Sequence, residues 1–352
     1  MTRKRAAEAV VPTPIDQTHA EDDEFLASVV EALPADSQRV IAELKRIKKV
    51  YIRCGRDIAL KNKLHHFLEL ILANRGERRD DGRIFLVTGE SGAGKSRIVE
   101  QLISEIPALQ PQVRSYGTLR PIVTVSLTGP CTLGVLGRMV LEQAGYPILQ
   151  SPDPSELWRT LPDRLHHKKV LIIHIDETHH MLKETEADRD RKALAKALKG
   201  VMNHAAWPIS IIMSGLPRTT EIARLDEQFE RRGFFENLPD IDIDHERKLV
   251  LNILRDMAEA AGIDATSVLA TDIPDRIAHA AKYRYGRTTQ VVLATLQIAM
   301  KENAKALHRN HFANAYILHS SAQGRDDMNP FLVDEWRLLP PGSFIIEGDK
   351  LP

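Results

Sequence analysis

Cysteine is scarce in this sequence: only Cys54 and Cys131 occur in 352 residues. They stand far apart and in no metal-ligand spacing, which excludes a disulfide framework and a zinc ribbon and suits a reducing compartment. Net charge is missing too, since 48 Lys and Arg balance 48 Asp and Glu. The chain as a whole therefore exerts no electrostatic pull on nucleic acid or membrane, and any polyanion must be met by a local patch. No apolar run approaches the ~20 residues of a membrane-spanning helix. The basic start, Met1-Thr2-Arg3-Lys4-Arg5, leads into Ala-Glu-Ala-Val-Val-Pro-Thr-Pro rather than the apolar stretch of a secretory signal. The expectation is a cytoplasmic protein. Internal repeats and low-complexity tracts are absent. The histidine pairs at 65–66, 166–167 and 179–180 lack HExxH spacing and read as structural or surface residues.

What is present is length enough for two or three folding units and an ordinary apolar fraction. Residues 1–35 read as a flexible arm, with Pro12, Pro14 and the acidic run Glu21-Asp22-Asp23-Glu24. Residues 36–82 read as helices leading into the next unit. Val40, Ile41, Leu44 and Ile47 recur at helical spacing, as do Leu64, Phe67, Leu68, Ile71 and Leu72. From 83 to 242 the pattern alternates strand and helix. Apolar runs at 84–87, 122–127, 170–175 and 209–214, with a short fifth at 234–238, are separated by helical segments. That alternation predicts an α/β unit with a parallel sheet sandwiched by helices. Residues 243–321 carry only helical patterns and read as a small all-α lid. Residues 322–352 read as an irregular tail.

Three constellations carry chemistry. Gly89-Glu90-Ser91-Gly92-Ala93-Gly94-Lys95-Ser96 matches G-x-x-x-x-G-K-[ST] after an apolar strand and before a helix. The glycines let backbone amides converge on phosphate oxygens. Lys95 brings a point charge to the β- and γ-phosphates, and Ser96 a hydroxyl for Mg²⁺. The ligand expected is ATP with Mg²⁺. Second, the strand 172–175 ends in Asp176-Glu177, at the sheet edge where open α/β sheets bind ligands. Asp176 is placed to hold Mg²⁺ and Glu177 to polarise the attacking water. Third come residues that would complete the site. Ser214, ending the fourth strand, is expected to orient water near the γ-phosphate. Arg231 and Arg232 offer an arginine finger toward a neighbouring subunit. Arg287, after Gly286, is expected to close the lid on the nucleotide.

These residues together resemble the AAA+ ATPases, and within them the TniB/TnsC transposition regulators. The generic likeness lies in residues 89–96, 172–177, Ser214, Arg231-Arg232 and Gly286-Arg287. The narrower one lies in Tyr51-Ile52-Arg53, Asp176-Glu177-Thr178-His179-His180-Met181-Leu182, Ser214-Gly215-Leu216-Pro217 and Asn329-Pro330-Phe331. It covers roughly residues 36–331. The resemblance implies an ATP-dependent factor that forms rings or helical filaments on double-stranded DNA, marks the target, and recruits or activates a DDE transposase, in some cases with a targeting protein. ATP would join subunits and hydrolysis would release them. Transposase chemistry itself is not expected, because no spaced acid triad on an RNase-H-like strand pattern occurs.

With no net charge, DNA contact would fall to local cations. One candidate group is Arg189, Arg191, Lys192, Lys196 and Lys199, diluted by Glu186, Asp188 and Asp190; the other is the loop Thr128–Thr132 with Arg138. Two competing readings are open from sequence. One is a AAA+ ATPase working on a protein client, such as a secretion or remodelling factor, without DNA. The other is a nucleotide-gated scaffold whose slow hydrolysis is incidental.

Overall fold

The computed structural model describes residues 14–76, 78–146, 153–182, 188–320 and 325–342. In chain order the elements are α1 (Pro14–Glu31), α2 (Ala35–Lys48) and α3 (Gly55–Leu72), then the short pair β1 (Asn74–Arg75) and β2 (Arg78–Arg79). Next come β3 (Ile84–Gly89), α4 (Lys95–Glu105), a hairpin of β4 (Gln112–Arg114) and β5 (Gly117–Leu119), β6 (Ile122–Ser126), α5 (Leu133–Gln143) and α6 (Pro154–His167). They are followed by β7 (Ile172–Asp176), α7 (Asp188–Met202), β8 (Ser210–Gly215), α8 (Thr220–Arg224), α9 (Glu227–Arg231) and β9 (Gly233–Leu238). The remainder is helical: α10 (Ile243–Ala261), α11 (Thr266–Leu269), α12 (Ile273–Ala280), α13 (Tyr285–Lys301) and α14 (Arg309–His319). Packing groups Arg53–Leu249 with Ala278–Thr288 as one unit, and the described parts of Met1–Ile52, Val250–Ile277 and Thr289–Pro352 as the other.

The first unit is built on a five-stranded sheet ordered β6-β7-β8-β3-β9, parallel throughout. Every residue of β3, β7 and β8 is buried. This is why these strands read as continuous apolar runs rather than alternating ones. One face packs Leu86, Val125, Ile175 and Met213 against Leu136 and Val140 of α5, Leu161 of α6 and Leu198 of α7. The other packs Phe85, Val87, Ile172 and Ile212 against Leu60 and Phe67 of α3 and Ile98 and Leu102 of α4. Phe67 meets the rings of Phe85 and Phe234 edge-on at 5.4 and 5.7 Å, joining α3 to the sheet.

The order of strands positions the site. The chain runs from central β3 to edge strand β6, returns through β7 and β8, and crosses to β9. β8 therefore separates the strand of the glycine-rich loop from the strand of the acid pair. Beyond the partners Ile175 and Met213 come Asp176 and Ser214, while Ser214 itself pairs with Val87 across β3.

The sequence reading missed α6, whose interior Pro162 breaks the helical pattern. Asp153 starts this helix by accepting from the amides of Ser155 and Glu156, with Pro154 in the first turn.

In the second unit α2 carries Arg39, which donates to the carbonyl of Met300 at 3.1 Å. Residues 14–31, expected as an irregular arm, are helical. Their apolar side chains Phe25, Leu26 and Val29 stay exposed, so no buried stripe announced the helix. Residues 1–13 lie outside the described residues, as do 321–324 and 343–352. The expected irregular tail is in part core. Phe331 is buried against Phe312 with centroids 5.6 Å apart, Asn329 donates to Ala313 O at 3.1 Å, and buried Arg276 donates to Pro330 O and Val333 O, both at 2.6 Å. These are single anchor residues without periodicity, and pattern reading cannot detect them. Packing thus divides the chain differently from composition: α3 joins the sheet while α2 does not, and residues 278–288 return to the sheet unit.

Candidate active site

The glycine-rich loop joins β3 to α4. Gly92 and Gly94 take φ of +84° and +91°, a left-handed backbone that only glycine adopts without strain. Gly94 caps α4, and the amide of Ala93 turns back to Glu90 O at 3.0 Å. The first amides of a helix have no partner within it, and here they open onto the loop with the helix dipole behind them. Lys95, first in α4, is buried and donates to Glu90 O at 3.1 Å. Burial pulls its pKa down, and the carboxylates of Glu177, Asp176 and Glu90 oppose that pull. Ser96 follows, half-buried.

Asp176 ends β7, buried. Glu177 takes φ +53°, uncommon for a residue with a side chain and typical of functional sites. The turn swings its carboxylate out of the strand. His179, buried behind it, places Nδ1 3.1 Å from Glu177 Oε2, out of hydrogen-bond alignment. Burial first, then the charges of His180 and Arg218, push the His179 pKa down to about 4, so it is neutral near pH 7. The sequence reading gave His179 no role.

Ser214 is fully buried at the end of β8. Its hydroxyl donates to Asp176 Oδ1 at 2.5 Å and lies 3.0 Å from His174 Nε2. Its proton is committed to the carboxylate.

The two arginines of the candidate finger differ in their surroundings. Arg232 donates to Asn203 Oδ1 at 2.7 Å and pairs with Asp81 at 2.9 Å, so it is held within its own chain. Arg231, at the end of α9, is exposed and makes no ion pair among the described residues. Arg287 stands beside the glycine-rich loop. Its amide is 3.3 Å from Gly92 O, and a Cβ built on Gly92 would come within 2.7 Å of Arg287 Cγ. Arg284 was missed. It donates to Ser91 O at 3.0 Å and lies 3.4 Å from Glu90 Oε2, tying residues 278–288 to the loop. Its signal was its spacing, one helical turn before Arg287.

The two cation groups fare unequally. Lys192 and Lys196 are exposed on α7 and line an open groove with Lys199 and Arg224. Lys199 is neutralised by Asp226 at 2.8 Å. The side chains of Arg189 and Arg191 lie outside the described residues. In the other group Thr128 and Thr132 are exposed, but Thr132 caps α5 by accepting from the Val135 amide. Arg138 turns back to Gly134 O at 3.4 Å.

The family model described as Bacterial TniB protein matches residues 51–241. The chain belongs to the TniB family. Its fold is similar to that of the ORC2 protein of Aeropyrum pernix in its ADP form, with TM-score 0.54 and 15% identity over 77% of this chain and 71% of that one. Cdc6p of Pyrobaculum aerophilum gives TM-score 0.55 and 12% identity over 78% and 70%. The Aeropyrum pernix ORC1 protein, solved in complex with DNA, gives 0.51 and 17% over 79% and 67%. At such identities the likeness shows the fold, that of the AAA+ ATPases. No curated protein matches. Family, fold and the loop with its acid pair make this TniB-family chain an ATPase of the AAA+ class. Among the described residues no helix is long and apolar enough to cross a membrane.

Proposed function

We propose that this TniB-family ATPase is an ATP-dependent regulator of DNA transposition, assembling on duplex DNA and recruiting or activating a DDE transposase. The loop amides and Lys95 bind the β- and γ-phosphates. Ser96 and the free oxygen of Asp176 are the hard oxygen donors that suit Mg²⁺, which when bound neutralises phosphate charge. Glu177 accepts a proton from water as the water oxygen bonds to the γ-phosphorus and the bond to the β-phosphate oxygen breaks, leaving ADP and phosphate.

One observation supports the assembly reading: Arg231, at the end of α9, is exposed and makes no ion pair among the described residues. A neighbouring copy that lends Arg231 would complete the site, so bound ATP joins protomers and hydrolysis releases them. DNA contact is assigned first to Lys192 and Lys196, to which the groove adds Arg224. The Thr132 and Arg138 group supports it less, since both have structural partners.

The test is electron microscopy and sedimentation of the protein with duplex DNA, with and without a slowly hydrolysed ATP analogue. Ordered assemblies only with both ligands are expected, with affinity falling steeply as salt rises. ATPase activity indifferent to DNA, with no assembly, would discard this function in favour of a protein client.

A further inference from the structure

His174 precedes Asp176 by two residues on β7, so both side chains leave the strand on one face. That face is the one covered by α3 and α4, where the strand neighbours Ile172 and Ile212 are apolar. An aliphatic side chain would be ordinary at position 174. Instead the imidazole is buried to 1% exposure, its Nε2 3.0 Å from Ser214 Oγ, and Ser214 donates to Asp176 Oδ1 at 2.5 Å.

For a carboxylate at Asp176 and a neutral imidazole at His174 the hydrogen bonds run in one direction. An ionised Asp176 only accepts, so Ser214 must spend its single proton there. Ser214 Oγ can then only accept from His174, which puts the imidazole proton on Nε2. Nδ1 is left a bare acceptor, buried with no hydrogen-bond partner among the described residues. Burying an unpartnered acceptor destabilises the fold. Packing does not account for retaining it, but the Nε2 proton does.

We infer that His174 is a positioning residue of the nucleotide site, holding the Asp176 carboxylate in one orientation through Ser214. The inference rests on the reading that Asp176 holds the cation. Ser214 then acts as the link between strand interior and metal ligand rather than as a contact to phosphate.

The first test needs neither metal nor nucleotide. Nitrogen NMR of histidine-labelled protein should show His174 with Nε2 protonated and Nδ1 bare; the opposite tautomer overturns the inference. The second uses Mn²⁺ as the probe. In His174→Leu the Mn²⁺ concentration that half-saturates the strengthening of fluorescent ATP-analogue binding should rise at least about tenfold, as lost outer-shell partners cost, with metal-free nucleotide affinity unchanged. His174→Gln, which restores an N–H at the reach of Nε2, should recover most of the loss. A wild-type Mn²⁺ response in His174→Leu overturns the inference. Should that variant not fold, Ser214→Ala cuts the same link and must show the same rise, and a wild-type response there is equally fatal. If wild-type protein shows no Mn²⁺-dependent strengthening at all, the assignment of Asp176 fails instead, and the tautomer result still reports on the link.

Discussion

Lys95 and Glu177 sit within one phosphate's reach of each other in the proposed chemistry, yet their roles separate cleanly. Lys95→Ala removes the charge buried in the loop nest, and ATP binding should be lost with assembly; equilibrium binding of a fluorescent analogue reads this. Glu177→Gln keeps shape and hydrogen-bonding but cannot accept the water's proton. Phosphate release should drop by about 10²–10⁴-fold, the usual range for a positioned base, while ATP binding persists. Were Glu177→Gln to hydrolyse ATP normally, the base would lie elsewhere. The left-handed backbone at Glu177 belongs to the same scale, since it is what turns the carboxylate away from the sheet that anchors Asp176.

Elements explain why two of the sequence's candidates for DNA contact carry less weight. Thr132 has a defined structural duty, accepting the Val135 amide at the start of α5. Thr132→Ala should therefore cost about 1 kcal/mol of stability, read as a lowered denaturation midpoint, with salt-dependent DNA affinity unchanged. A loss of DNA affinity without loss of stability would return this loop to the interface. On α7 the argument runs the other way. Lys192 and Lys196, four residues apart, share one helix face, and both are exposed. Lys199 on the next turn is already neutralised by Asp226.

In the proposed assembly, whole-molecule behaviour turns on Arg231. The chain is electrically neutral overall, so no general attraction draws copies together or to DNA, and assembly must depend on specific groups. Arg231→Ala should leave ATP binding by the single protein intact, abolish ATP-dependent assembly, and lower turnover by about 10³-fold or more, as loss of an arginine finger does. Arg232→Ala should instead act on stability through Asp81 and Asn203, and sedimentation with ATP should still find assemblies. The reverse pattern would exchange the two arginines.

The sequence by itself determined the sheet, the loop and the acid pair. These are contiguous motifs whose spacing follows from strand and helix geometry, and a glycine-rich loop between a buried strand and a helix has one chemical use that fits. Likewise the alternation of strands and helices fixed a parallel sheet before any contact was known. Tertiary structure alone decided the rest. It showed that Ser214 bonds Asp176 and lies against His174, that Arg232 pairs with Asp81 while Arg231 makes no ion pair among the described residues, that Arg284 donates to the loop, and that Asn329 and Phe331 pack into the helical unit. Each of these depends on residues distant in sequence meeting through one or two polar or aromatic contacts. Such contacts leave no periodic trace in the chain, because the hydrophobic pattern records which face is buried and not which partner awaits it.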